Sequence, residues 1–285
     1  MPSSKSSGKL WDTLPALSDL LRQNNLYADK KLGQHFLLDR NITDKIASLA
    51  APLNGVHVAE IGPGPGGLTR SLLDADAAEV LAIEMDERFA NLNTDMAPVT
   101  GGRLRVLQAD ALAVNIAKEL PAPRKIVANL PYNVGTKMLV NWITADPLFW
   151  DQMVLMFQKE VAERVCAAPG ESAYGRLAIL CQSVASAHIA FEIPARAFTP
   201  PPKVDSAVVV LRPLEQPFPK LKMLGELTQA AFGQRRKMLR ASLKSFAKRH
   251  DLDLIAWLES CGIDPQARPE TLQVSEFQTL VETVK

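Results

Sequence analysis

Asn129, Leu130, Pro131 and Tyr132 put an amide, a carbonyl and an aromatic ring side by side at the end of the strand-like run Lys125 to Ala128. Together they could hold and activate an adenine. The exocyclic amine of that base is a poor nucleophile, because its lone pair is delocalised into the ring. Two carbonyl acceptors bonded to its two protons would pull the nitrogen toward tetrahedral geometry. The Asn129 side-chain oxygen and the Leu130 backbone oxygen are the candidates. Pro131 biases Leu130 toward an extended conformation and can fix where that carbonyl points. Tyr132 offers a face on which the base can stack, a contact worth about 1–3 kcal/mol. An amide serves better than an acid if the amine stays neutral until a methyl group arrives. Aligning amine and methyl donor in line can contribute about 7–11 kcal/mol, so neither a metal nor a covalent intermediate is required. An adenine inside a helix hides this amine in the stack, and the target must be flipped out or already unpaired. Phe198, on the stiff proline loop FTPPPKVDS, is the candidate for the second face of the base. Taken alone, NLPY reads as readily as a turn that ends a strand, and Phe198 as an ordinary core residue. The case rests on what the other strand ends carry.

Val58-Ala59-Glu60-Ile61 runs into Gly62-Pro63-Gly64-Pro65-Gly66-Gly67, with a helical pattern from Leu68. Glycines at a first strand-to-helix turn let the backbone approach a nucleotide closely. The spacing satisfies the GxGxxG dinucleotide fingerprint, and Glu84 stands about 20 residues on, where a ribose-binding acid belongs. A diphosphate, however, is held by backbone N–H groups, and Pro63 and Pro65 each remove one. A ligand with a ribose but no phosphates suits the loop better. S-adenosylmethionine is such a ligand: its hydroxyls meet Glu84, its adenine amine meets a further acid, and its sulfonium tolerates carboxylates. Asp110, after the run Leu104 to Gln108 and beside Ala111, is placed to accept from that amine. Glu60, Glu84 and Asp110 thus end or abut three successive strands. One such acid reads as a loop residue or helix cap; three in succession read as a site.

These strand ends presuppose a parallel sheet. Apolar runs Val56 to Ile61, Val80 to Glu84, Leu104 to Gln108, Lys125 to Leu130 and Met153 to Phe157 alternate with helical patterns, the mark of strands with helices on both faces. Ile189 to Ile193 and Ser206 to Leu211 read as an antiparallel pair at one sheet edge. Beyond Arg212-Pro213 and EQPFPK the pattern is helical to the end, which sets a boundary near 213. At the other end, an amphipathic helix opens at Asp12-Thr13-Leu14-Pro15, with Leu14, Leu17, Leu20 and Leu21 on one side, and stops near Asn24-Asn25. The expected organisation is an N-terminal tail and short helix at 1–25, a catalytic domain at 26–212, and a small all-helical domain at 213–285.

With 285 residues, 47% of them apolar, the chain can bury the core of a large domain plus a small one. Its net charge of +1 excludes a polyelectrolyte binder overall, so a nucleic-acid surface must be a local patch. Cys166, Cys181 and Cys261 lie far apart, with no CxxC or Cys/His cluster, which gives neither a disulfide framework nor a zinc site. No metal is expected, and a reducing cytoplasm is the simplest location. Neither a membrane span of about 18 apolar residues nor the apolar segment of a secretory signal is present.

A local patch does exist. Between Gly233 and His250 stand Arg235, Arg236, Lys237, Arg240, Lys244, Lys248 and Arg249, with no acid. Arg236, Arg240, Lys244 and Lys248 recur every four residues, which predicts a basic stripe on one helical face, with Phe232, Leu239, Leu243 and Phe246 on another. Such a run is often only a solvated face; the lack of balancing acids points to phosphates.

In this order, KKLGQHFLLD, EIGPGPGGLT, the acid of AIEMDE, QADAL, NLPYNVGTKML, FTPPPKVDSAVV and FGQRRKMLRASL resemble the KsgA family of small-subunit ribosomal RNA adenine dimethyltransferases. The resemblance covers roughly residues 26–250, and NLPY with FxPxPKVDS is its specific part. It implies a Rossmann-like α/β fold of the class I S-adenosylmethionine-dependent methyltransferases, with a small helical C-terminal domain. It also implies dimethylation of two adjacent adenosines near the 3′ end of 16S ribosomal RNA in an immature small subunit, by a cytoplasmic monomer. On this resemblance His35, Leu37, Gly62, Glu84 with Met85, Asp110 with Ala111, and Asn129 contact the cofactor. Asn129, Leu130 and Tyr132 also meet the base on this resemblance; Pro131 and Phe198 join them on the reading of the strand end given above, and Arg235, Arg236, Lys237, Arg240 and Lys244 are expected to meet RNA on their charge pattern. The family carries GQNFL as readily as GQHFL; apart from the resemblance, His35 reads as a capping or core histidine. The helix before Tyr27 is not a general family feature. Three rivals stay open: a large-subunit RNA adenine methylase of the resistance type, an NAD-dependent oxidoreductase, and a ribosome-assembly factor with a vestigial site.

Overall fold

The computed structural model describes residues 9–29, 33–234 and 236–284. Its strands are β1 (Phe36–Leu37), β2 (His57–Ile61), β3 (Glu79–Glu84), β4 (Leu104–Gln108), β5 (Arg124–Asn129), β6 (Gln152–Gln158), β7 (Ala185–Ile193), β8 (Phe198–Thr199) and β9 (Ser206–Pro213). Seven form one sheet in the order β4-β3-β2-β5-β6-β9-β7. The pairs β2–β3, β3–β4, β2–β5 and β5–β6 are parallel, as the alternating pattern predicts. Val80, Leu81, Ala82, Ile126 and Val127 are fully buried. Strands covered on both faces have no solvent side to mark with polar residues, which is why these runs read as continuous apolar stretches.

β2 lies between β3 and β5, so the chain changes direction across the sheet at its end. Ligand crevices in open α/β sheets form at such a switch point, beyond the carboxyl ends of the strands. The register brings those ends level: Ile61 faces Ile83 on one side and Ala128 on the other, and Glu84 faces Gln108. Gly62, Glu84, Asp110 and Asn129 therefore leave the sheet on one edge.

Two local expectations change. The single N-terminal helix is two, Leu10–Thr13 and Leu17–Gln23. Pro15 disfavours the α conformation at Leu14, which is extended (φ −93°, ψ 154°) and interrupts the helix. Leu17 is buried, while Leu14, Leu20 and Leu21 are only partly covered. The segment after β7 is not a plain loop, because Phe198–Thr199 forms a separate antiparallel ribbon with β1, Phe36 opposite Thr199 and Leu37 opposite Phe198. β7 and β9 are neighbours at one side of the sheet, with β7 outermost.

The chain forms two compact units interleaved along the sequence. One runs to Thr136 and includes Phe149–Lys159 and Ala190–Val210; the other comprises Lys137–Leu148, Glu160–Ile189 and Leu211–Lys285. The second unit thus joins two internal stretches to the C-terminal part from Leu211. Within that second unit Tyr174, fully buried, donates its hydroxyl to Leu272 O at 2.9 Å and sets its ring edge against Phe232. In the first unit, Val58, Val80, Val127 and Val154 of the sheet pack with Leu68, Leu72 and Leu73 of helix Gly67–Asp74 and with Ile46 of helix Arg40–Leu49. No described helix is long and apolar enough to cross a membrane.

Candidate active site

The glycine loop leaves β2 through left-handed backbone at Gly62 (φ +65°), Gly64 (+51°) and Gly66 (+86°). At Gly66 a Cβ would stand 2.8 Å from Asn93 Oδ1, so only glycine fits there. Asn93 is buried on helix Glu87–Met96 and donates Nδ2 to Gly64 O (2.7 Å) and Phe89 O (2.8 Å). The loop is thus tied down by a side chain that the sequence pattern gave no reason to single out.

Glu84 ends β3 and is 7% exposed. Its Oε2 accepts from Gly64 N (3.2 Å) and its Oε1 from Asp86 N (2.9 Å). Burial pushes this carboxyl above its usual range, against the pull of the two backbone donors. Each oxygen keeps acceptor capacity for a further donor such as a ribose hydroxyl. Met85 beside it is 56% exposed, an apolar side chain available to a flat ring. Asp110 lies at the next strand end, exposed; Oδ1 accepts from Leu112 N across Ala111 (2.9 Å), and Oδ2 keeps its acceptor capacity.

Glu60 behaves differently from its two companions. It is 1% exposed and accepts the Thr69 hydroxyl proton at 2.7 Å. Burial pushes its carboxyl up to about 8, and the charge of Glu84 adds to the shift. Glu60 is therefore a neutral support under the loop and not an acid facing a ligand.

At the end of β5, Asn129 donates Nδ2 to His35 O at 3.2 Å. A backbone carbonyl only accepts, so this bond fixes the amide with Oδ1 turned away from it. Leu130 O accepts no hydrogen bond among the described residues, whereas Pro131 O takes the N–H groups of Val134 and Gly135 and closes a turn. Two carbonyl acceptors, one from a side chain and one from the backbone, are left on adjacent residues. Tyr132 is held by its hydroxyl, 2.7 Å from Ser206 Oγ on β9, and burial raises its phenol. The His35 ring stacks on Tyr132 with centroids 5.7 Å apart, and its Nδ1 lies 2.7 Å from Pro200 O. The His35 side chain thus stands between Tyr132 and Pro200 O.

Phe198 is 3% exposed and Leu37 8%, and both side chains belong to the hydrophobic core, paired across the β1–β8 ribbon. The Phe198 ring is thus packed among apolar neighbours. Ser206, the last residue of FTPPPKVDS, is what that segment contributes beside Tyr132; the motif is visible in sequence, but its serine role depends on which strand it enters.

The basic stripe is corrected. Arg236 and Lys237 are exposed and precede the helices Leu239–Ser242 and Lys244–Arg249, which are separated at Leu243 (φ −90°, ψ 1°). The period of four does not run along one helix. Arg240, Lys244 and Lys248 nevertheless line one open groove of about 760 Å³ with Asp251, over Leu252 and Ile255. Leu239, Leu243 and Phe246 are fully buried, as their spacing predicts. Arg235 lies outside the described residues.

The chain matches the family model for ribosomal RNA adenine dimethylase over residues 25–285. It is 50% identical to ribosomal RNA small subunit methyltransferase A of Maricaulis maris over 273 residues, covering 94% of each chain. It is 52% identical to the protein of that name from Gluconobacter oxydans, covering 95% of this chain and 88% of the relative. The crystal structure of a dimethyladenosine transferase from Plasmodium falciparum superposes with a TM-score of 0.75 at 30% identity, over 86% of this chain and 96% of the other. The 23S rRNA methyltransferase ErmE gives 0.67 at 27% identity, over 87% and 99%.

Proposed function

Because the chain belongs to the ribosomal RNA adenine dimethylase family, we propose that it transfers methyl groups from S-adenosylmethionine to the exocyclic amines of two adjacent adenosines near the 3′ end of 16S ribosomal RNA. It acts in the cytoplasm, as a monomer, on an immature small subunit. Identities of 50% and 52% to small-subunit enzymes, against 27% to a 23S enzyme, favour the small-subunit substrate. They also make a methyltransferase the better reading than an oxidoreductase.

The residues at the strand ends fit the cofactor. Glu84 offers a buried carboxylate to ribose hydroxyls, Met85 an apolar surface to adenine, and Asp110 Oδ2 an acceptor for its amine. The loop between them lacks the N–H groups of Pro63 and Pro65 that a diphosphate would use. When bound, the cofactor supplies an electrophilic methyl group. Asn129 Oδ1 and Leu130 O accept the two protons of the target amine, hold its lone pair out of the ring plane and fix its direction. Tyr132 supports the base from one face. Preorganised acceptors of this kind need no reorganisation as charge develops.

The observation that carries this reading is the bond from Asn129 Nδ2 to His35 O, which leaves the amide oxygen outward. The test is Asn129→Ala incubated with labelled S-adenosylmethionine and immature small subunits, with modified bases mapped by mass spectrometry. Transfer should fall by about 10²–10³-fold, as for the loss of a preorganised polar group, while RNA affinity stays within about twofold. Loss of both together would remove Asn129 from its role. Label appearing on 23S RNA would overturn the substrate.

For the second unit, the groove of Arg240, Lys244 and Lys248, with Arg235, Arg236 and Lys237, is proposed to hold RNA phosphates. Contacts of that type position a strand without reading its sequence.

A further inference from the structure

The helix that follows the glycine loop gives one whole face to the N-terminal segment. Along Gly67–Asp74 the residues Gly67, Arg70, Ser71 and Asp74 recur at the spacing of a single helical stripe. Each meets residues 10–17. The Asp74 carboxylate accepts Leu10 N at 2.7 Å and Trp11 N at 3.3 Å, capping helix Leu10–Thr13 from a distance. Trp11 Nε1 donates to Ser71 Oγ at 2.9 Å, and Ser71 Oγ in turn bonds Asp44 on helix Arg40–Leu49 at 2.7 Å. Arg70, 1% exposed, donates to Pro15 O at 2.8 Å and lies under the Trp11 ring at 5.4 Å. Leu17, 2% exposed, reaches within 3.0 Å of where a Gly67 Cβ would be.

This contact surface is more specific than a segment merely covering apolar area would need. A buried guanidinium and a carboxylate are both committed to it, and an unpaired buried charge is costly. Gly66 and Gly67 start the helix so held, and Gly64, two residues earlier, donates to Glu84. The segment therefore reaches the cofactor loop through one rigid element. It also lies outside the part of the chain that the family model matches, which begins at residue 25.

We propose that residues 9–23 form a brace that positions the glycine loop for the cofactor, with Trp11 as its principal positioning residue. The brace touches neither methyl donor nor base. It acts by keeping the loop in its binding geometry before the ligand arrives, which lowers the ordering cost of binding. The inference rests on the cofactor reading above, and its test separates the two.

The experiment uses full-length Trp11→Ala, Trp11→Phe and Asp74→Asn. Calorimetric titration of S-adenosylmethionine without RNA is combined with steady-state kinetics and thermal melts. Trp11→Ala should raise both the dissociation constant and KM for S-adenosylmethionine about tenfold, with kcat at saturating cofactor within about twofold, the signature of lost uniform binding. Asp74→Asn should act in the same direction. Trp11→Phe keeps a ring over Arg70, loses only the Nε1 bond, and should show a smaller rise. If Trp11→Ala does not fold, the Trp11→Phe and Asp74→Asn constants decide. A variant that melts earlier but binds S-adenosylmethionine like the parent would overturn the brace and leave a purely structural role. A rise in KM for RNA equal to that for the cofactor would also overturn it. Failure of the unmodified chain to bind S-adenosylmethionine would instead sink the cofactor assignment.

Discussion

The strand-end site and the basic segment after Gly233 use polar groups in opposite ways. At the strand ends Glu84 and Asn129 are buried or half-buried and already engaged: Glu84 holds two backbone N–H groups, and Asn129 donates an amide proton to His35 O. In the basic segment Arg236, Lys237, Arg240, Lys244 and Lys248 are exposed, with no ion pair to another described residue. Buried, preorganised groups can tell one atom of a ligand from its neighbour. Exposed cations create a field that attracts any phosphate and weakens with salt. On the proposed function, one region would choose the atom to be modified, and the other would hold the polymer that carries it.

Three experiments could break or sharpen that contrast. Glu84→Ala should have the largest effect, weakening S-adenosylmethionine binding by about 100-fold or more, since hydrogen bonds to a charged group contribute about 1.5–3 kcal/mol each. Calorimetry at low and high salt should give the same loss. A loss that fades with salt would make Glu84 a member of a diffuse field. Replacing Arg240, Lys244 and Lys248 with Ala should reduce the slope of log affinity for RNA against log salt by about 2, at about 0.7 per phosphate contact on a single strand. Cofactor binding, read by the same calorimetry, should not move. Unchanged salt slopes would take the groove out of RNA recognition.

The smallest effect concerns stability and has a definite sign. Glu60 loses its proton at about 8 in the folded chain against 4.5 ordinarily. Between those values the folded state binds more protons than the unfolded state, so this group makes stability fall as pH rises from about 4.5 to about 8. Glu60→Gln keeps an acceptor for Thr69 and should flatten that fall. Melting curves should show the variant gaining on the parent toward pH 8 and matching it near pH 4. A parallel offset at every pH would mean that Glu60 is ionised in the fold.

Sheet positions were legible in the sequence because a fully buried parallel strand leaves a long apolar run, and because ligand-facing residues must stand where such a run stops. That is how Glu84, Asp110 and Asn129 could be placed before any geometry. Where two elements must pack before a role exists, sequence was silent. Asn93 ties the glycine loop from a helix 27 residues beyond Gly66 in the chain. Ser206 reaches Tyr132 from a strand 74 residues away. Trp11 finds Ser71 across 60 residues. The burial of Phe198 was hidden for a related reason, since a phenylalanine after a strand looks the same whether it closes a pocket or fills a core. The stripe from Arg236 to Lys248 failed because a repeat of four assumes an unbroken helix, and nothing in Leu243 announces the break.

The orientation of the Asn129 amide gives that position a handedness of charge. Its two ends differ: the nitrogen donates to a carbonyl of the protein, and the oxygen is turned away from that carbonyl. Aspartate has nearly the same shape but no positive end, and would set oxygen against the oxygen of His35. The fold therefore does not merely tolerate an amide at this strand end; through a main-chain atom it dictates one, and dictates which way round it sits.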